Sequence, residues 1–159
     1  MRTLATAPAV RRAGPDDLDA LVPLFDGYRQ FYQQRSDEAL AREFLGQRLH
    51  RNESIVLLAT LDGAPAGFTQ LYPMFSSVRA ARVWVLNDLY VAAAARRRGV
   101  AQALLQAATD FARDGGAIRL ELETTGDNRE AQALYERTGW QLYDGTLRYH
   151  LALTAPAAT

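Results

Sequence analysis

Arg96-Arg97-Arg98-Gly99-Val100-Ala101 places three cations and a glycine directly before an apolar helical stripe. A turn feeding a helix N-terminus offers unsatisfied backbone N–H groups and the positive end of the helix dipole, which suit phosphate oxygens. Arginine can add charge-assisted bonds, and Gly99 lets the backbone come close to a ligand. An arginine run alone is equally a solvated face, so the flanks decide. Before it, Val83 to Val91 reads as a strand. After it, Val100, Ala103, Leu104, Ala107, Ala108 and Phe111 follow the i, i+3, i+4, i+7 rule of a helix. Strand, turn and helix in that order make an anion cradle.

A second group lies downstream. Ala117 to Thr125 is strand-like and leads into Gly126-Asp127-Asn128 and a helical stretch ending at Gly139-Trp140. Tyr135 shares a stripe with Ala131, Leu134 and Thr138, so it reads either as a core tyrosine or as a hydroxyl available for proton transfer. Asn128 stands at the helix start, where Asp127 and Glu130 have the spacing of a capping box.

The elements that must position these groups follow from pattern. Val10 to Ala13 is a short strand stopped by Gly14-Pro15, with Asp16 as the cap of a helix carrying Leu18, Leu21, Val22 and Phe25. Tyr28, Phe31 and Tyr32 extend its aromatic face, and a second helix starts at Ser36 or Asp37 and runs through Leu49. Ser54 to Leu61 and Ala66 to Tyr72 are strands joined by the Asp62-Gly63 turn, and Met74 to Ala80 reads as a loop. Trp140 to Tyr143 and Thr146 to Leu153, around Asp144-Gly145, predict a last hairpin. The expected fold is α/β, one domain over 1–159 with its core at about 9–153, a mixed central sheet flanked by helices, and a frayed tail at 154–159.

Composition narrows the function classes. Eighteen basic and eighteen acidic residues balance, which argues against a broad nucleic-acid or anionic-membrane face. No apolar run is long enough to span a bilayer, and residues 1–10 lack the apolar centre of a secretory signal, so a cytoplasmic protein is expected. The chain has no cysteine, hence no disulfide, thiolate zinc site or acyl-cysteine. His50 and His150 are isolated, and no metal is expected. Gly-x-Gly-x-x-Gly is missing, and a chain without lysine cannot form the lysine-containing phosphate loop.

With these residues in place, the chain resembles the GNAT superfamily of N-acetyltransferases. That family's cofactor loop, Gln/Arg-x-x-Gly-x-Gly/Ala, is met by Arg96, Gly99 and Ala101; its Asn-x-x-Ala-x-x-Leu-Tyr-x-x-x-Gly-Trp/Phe pattern is met by Asn128, Ala131, Leu134, Tyr135, Gly139 and Trp140. The resemblance runs from about Ser54 to Leu153. It implies the acyl-CoA N-acyltransferase fold and acetyl-CoA as cosubstrate, with transfer to a primary amine in a ternary complex. It further implies that Arg96, Arg97, Arg98, Gly99, Val100 and Ala101 hold the pyrophosphate. The backbone of Leu89, Tyr90 and Val91, on a strand that splays from its neighbour, would take the pantetheine arm; Asn128 would contact the cofactor, and Tyr135 would protonate the departing thiolate. Homodimers are common in that superfamily, and the terminal strands are the expected contacts.

The acceptor is less constrained. A lysine-like ammonium, pKa about 10.4, costs about 4.6 kcal/mol to deprotonate at pH 7, so a carboxylate or water chain should help. Related polyamine enzymes carry Glu where this chain has Asn87, which cannot take a proton; Asp88 is the nearest carboxylate and matches an Asp of aminoglycoside 3-N-acetyltransferases. Asp88 is therefore the candidate base or amine anchor. Strand alternation puts Asn87 and Asp88 on opposite faces unless a bulge intervenes. Tyr28 and Tyr32, with Tyr72, Phe75 and Trp84, are candidate walls for a cationic amine, core packing being the rival for each. The preferred acceptor is a small amine such as a polyamine, amino acid or aminoglycoside. A peptide N-acetyltransferase and a non-catalytic acetyl-CoA sensor are the alternatives.

Overall fold

Asp37 shows how local chemistry starts an element: its carboxylate accepts the Leu40 N–H at 3.0 Å and opens a helix. The structure is a computed structural model and describes residues 6–154. It forms two compact units, Met1–Glu123 and Thr124–Thr159.

In the first unit the order is β1 (Ala9–Arg12), a 3-10 turn (Pro15–Asp17), α1 (Leu18–Phe31), α2 (Glu38–His50), β2 (Ile55–Leu61), β3 (Ala64–Ser76), β4 (Ala81–Val91), a 3-10 turn (Ala93–Ala95), α3 (Val100–Asp114) and β5 (Arg119–Glu121). The strands lie in the order β1-β2-β3-β4-β5. The first three pairings are antiparallel and β4–β5 is parallel, so the sheet is mixed as expected. Asp62 and Gly63 both take positive φ, 52° and 80°, the geometry a two-residue hairpin demands.

Sheet alternation sends Val56, Leu58 and Phe68 into a core with Leu21, Val22 and Phe25 of α1 and Ala41, Leu45 and Leu49 of α2. The other face packs against α3, whose Val100, Leu104, Leu105, Ala108 and Ala112 are buried. Burying a leucine or phenylalanine is worth about 1.5–3 kcal/mol, so these two stripes fix the layers.

The second unit holds α4 (Arg129–Arg137), opened by Asn128, whose Oδ1 accepts the Ala131 N–H at 3.3 Å.

Several boundaries differ from expectation. The loop predicted at Met74–Ala80 is shorter, a turn over 77–80, because β3 and β4 stay paired out to Ser76↔Ala81. At that end the Arg82 guanidinium lies 4.2 Å from the centre of the Phe75 ring across the pair. Asp17 replaces Asp16 as the residue that fixes the first turn, accepting from Gly14 N at 2.8 Å and from Arg11. The last hairpin is absent among the described residues: 140–154 contain no strand, and Leu147, Tyr149, Leu151 and Leu153 are exposed. Alternating apolar residues give a segment the propensity for a strand, but a strand also needs a partner edge. Apart from Thr154, the predicted tail lies outside the described residues.

Candidate active site

β4 carries both halves of the site. At its middle, Gln70 pairs with Asp88 and Leu71 with Leu86, so Asn87 is the extra residue of a β-bulge. The bulge cancels simple alternation: instead of pointing away, Asn87 Nδ2 donates to Asp88 Oδ1 at 2.7 Å. Asp88 is 2% exposed and faces α1. Its Oδ2 accepts Gln70 Nε2 at 2.6 Å, and the Tyr28 hydroxyl, which donates to Asn87 O at 3.3 Å, also hydrogen-bonds the carboxylate. Burial pushes the Asp88 carboxyl above its ordinary pKa, and the bonds from Asn87, Gln70 and Tyr28 only partly oppose this. Among the described residues no cation is ion-paired with it.

Tyrosines wall this carboxylate. Burial, followed by the charge of Asp88, pushes Tyr28 well above its ordinary value and Tyr72 up to about 12. Both hydroxyls therefore stay protonated and serve as donors near neutral pH. Tyr32 stacks edge-on against Tyr28 with centroids 5.1 Å apart. Trp84 and Phe75 are not part of this group: Trp84 packs on Phe111 of α3 at 5.3 Å, and Arg82 lies over both rings on the opposite face of the sheet.

At the far end of β4 the chain enters the cradle. Arg97 (φ 59°) and Gly99 (φ 80°) take the left-handed conformation on either side of Arg98, and α3 begins at Val100. Left-handed turns of this kind turn successive N–H groups toward one side, the geometry of an anion nest. Ala103 N bonds to Gly99 O, so the N–H groups of Val100, Ala101 and Gln102 precede the first intrahelical bond. A Cβ built on Gly99 meets nothing within 4 Å, so the space above the backbone is open. Arg96 Nε donates to Val91 O at 3.3 Å, and Arg98 pairs with Asp62 at 2.8 Å. The arginine side chains thus brace the turn, and the backbone presents the N–H groups.

Between these ends, β4 is paired with β3 along its whole length but with β5 only over Val83–Val85. Leu86–Val91, including Leu89, Tyr90 and Val91, therefore have no strand on their β5 side among the described residues. The Tyr90 hydroxyl tucks against Gly27 of α1, where a Cβ would lie 2.6 Å from it. In the second unit, Tyr135 is half-buried with its ring 6.1 Å from that of Trp140, and Trp140 N donates to Tyr135 O at 3.0 Å.

Sequence reasoning missed Gln70 and Ser54. The available signal was parity: Gln70 alternates with Phe68 and Tyr72 in a strand whose neighbours on that face are buried.

The profile of the acetyltransferase (GNAT) family matches residues 19–140. The chain belongs to this family. An uncharacterized N-acetyltransferase YhfO of Bacillus subtilis (strain 168) is 45% identical over 146 residues, 92% of this chain and 98% of that protein. A crystal structure of a probable acetyltransferase superposes with TM-score 0.88 at 43% identity, covering 93% of this chain and 99% of that one. A thialysine N-epsilon-acetyltransferase of Caenorhabditis elegans is 28% identical over 127 residues, 77% of this chain and 76% of its own. The GNAT chain is an N-acetyltransferase by family and by fold.

Proposed function

We propose that this protein transfers the acetyl group of acetyl-CoA directly to a small primary amine of polyamine, amino acid or aminoglycoside type. The observation that carries the reading is Asp88: a buried carboxylate with no cation ion-paired to it among the described residues, walled by tyrosines, on the strand that feeds an anion cradle. A buried carboxylate is stable when paired. The acceptor ammonium is the counterion this pocket lacks, and aromatic walls favour it further.

The cradle fits a pyrophosphate because its N–H groups precede the first helical bond and Gly99 leaves the approach open. Arg96, Arg97, Arg98, Gly99, Val100 and Ala101 would hold that group, and the backbone of Leu89, Tyr90 and Val91 would take the pantetheine arm. Acetyl-CoA, when bound, supplies the activated acyl group. Asp88 draws in the ammonium, and its raised pKa narrows the gap that a proton must cross to leave the amine. Tyr135 is assigned as the proton donor to the leaving thiol, from its place in the downstream motif. Asn128 serves that helix as its cap. The relative named for thialysine supports a small amine acceptor.

The test is calorimetric titration with acetyl-CoA, then thiol release with small amines and with peptides. Binding with release on small amines is expected; turnover on peptides alone would overturn the acceptor class, and absence of binding would overturn the whole reading. Gly99→Val, a β-branched residue at positive φ, should weaken acetyl-CoA by about tenfold or more. Tyr135→Phe should lower turnover and leave that affinity unchanged.

A further inference from the structure

Behind Asp88 runs a buried chain of hydrogen bonds. The Ser54 hydroxyl donates to Gln70 Oε1 at 2.7 Å, and Gln70 Nε2 donates to Asp88 Oδ2 at 2.6 Å. Ser54, Gln70 and Asp88 are 6%, 0% and 2% exposed, so water does not compete for these bonds. A carboxamide has one accepting end and one donating end. Only one of its two orientations suits an ionised Asp88, since the other sets Oε1 against the carboxylate. The hydroxyl of Ser54, just before β2, selects the right one from two bonds away.

We propose that Ser54 is a positioning residue for Asp88: through the Gln70 amide it keeps a donor against the carboxylate and so favours the ionised form that receives the acceptor ammonium. The proposal rests on the reading of Asp88 as the amine-binding group. Without the hydroxyl, Gln70 either leaves Oε1 buried and unsatisfied or turns over and accepts from a protonated Asp88. Both outcomes favour the acid over its anion.

The other charged or titratable groups near this carboxylate are Tyr28 and Tyr32 from α1 and Tyr72 from β3, with Arg48 of α2 and Glu53 acting on Tyr72. Tyr28 and Tyr72 remain neutral over the range in which a carboxylate titrates. Arg48 and Glu53 interact with each other, with 3.6 Å between Nη2 and Oε1.

The experiment follows the Asp88 carboxyl carbon by NMR titration in the wild type, Ser54→Ala, Ser54→Thr and Gln70→Met, alongside the pH profile of kcat/KM. Losing the hydrogen bond from Gln70 to the charged group should raise the Asp88 midpoint by about one unit or more in Gln70→Met, and Ser54→Ala, which frees that amide to turn over, should raise it too. Ser54→Thr keeps the hydroxyl and should follow the wild type. Gln70→Met carries the test if Ser54→Ala does not fold. A midpoint in the folded variant that coincides with the wild type would overturn the proposal. The acid limb of kcat/KM should move with the midpoint; a moved midpoint with a fixed limb would leave the link from Ser54 to Asp88 standing and overturn the amine-binding reading instead.

Discussion

Asp26 and Asp88 are both buried carboxylates, 3% and 2% exposed, and they are held in opposite ways. Asp26 sits in α1 and receives Ser36 Oγ at 2.7 Å, the Asp37 N–H at 2.7 Å and Gln30 Nε2 at 2.9 Å. Burial pushes its carboxyl up, but these bonds and the nearby charge of Arg29 outweigh burial and hold it below its ordinary value. Asp88 has donors too, yet burial wins there and its carboxyl is raised. The charge of Asp26 is used up inside the fold, where it ties the end of α1 to the start of α2. On the proposed reading, the charge of Asp88 is left for an ammonium that arrives from outside. Burial alone does not mark a functional carboxylate; burial that the surrounding donors and charges fail to offset is the better sign.

Substituting each residue by its amide should separate these roles. Asp88→Asn removes both the proton acceptor and the charge that draws the ammonium, so turnover should fall by about 10²–10⁴, the range for loss of a general base. Acetyl-CoA affinity should be unchanged, because the cradle is built from backbone beyond the end of β4. Calorimetry and thiol release on one preparation would read both, and near-wild-type turnover would return Asp88 to a structural role. Asp26→Asn should act on the fold instead. It exchanges an acceptor of three bonds for a group with one accepting oxygen and a misplaced donor, costing about 1–3 kcal/mol of stability by denaturant unfolding. Turnover per folded molecule should stay close to wild type, and a loss comparable to that of Asp88→Asn would erase the distinction.

The contrast also explains what the sequence could reveal. The turn and helix start at Arg96–Ala101 were legible because the segment is contiguous and both are local properties. The helices followed from their apolar stripes, and Asp62-Gly63 announced its own turn. The Asp88 pocket draws on α1, the residue just before β2, and on β3 and β4, and only tertiary pairing brings Ser54, Gln70, Tyr28 and Asp88 together. A one-residue bulge at Asn87 decides which side chains meet. Trp84 and Tyr72 illustrate the same limit, since both are aromatic, both lie in strands, and register alone sends them to opposite faces.

The smallest effect is also the most direct reading of the comparison, because it rests on sign. A carboxylate with a lowered folded pKa contributes stability that is fully present above the unfolded value, about 3.9, and is lost as pH falls through the folded value. That is Asp26, so Asp26→Asn should fall furthest below wild type near neutral pH, and the gap should close on acidification below pH 4. A carboxylate with a raised folded pKa works the other way: it takes nothing from stability below the unfolded value and destabilises increasingly as pH rises toward the folded value. Asp88→Asn removes that penalty, so its stability relative to wild type should climb as pH rises above about 4 toward the raised folded value. An amide among the donors of Gln70 and Asn87 adds a constant offset, which leaves this slope unaltered. Thermal melts of both variants from pH 3 to 7 should therefore diverge in opposite directions as pH rises. Parallel curves, or an Asp88→Asn curve that sinks toward neutrality, would mean that Asp88 is as well satisfied inside the fold as Asp26, and the pocket would have no charge left to offer an amine.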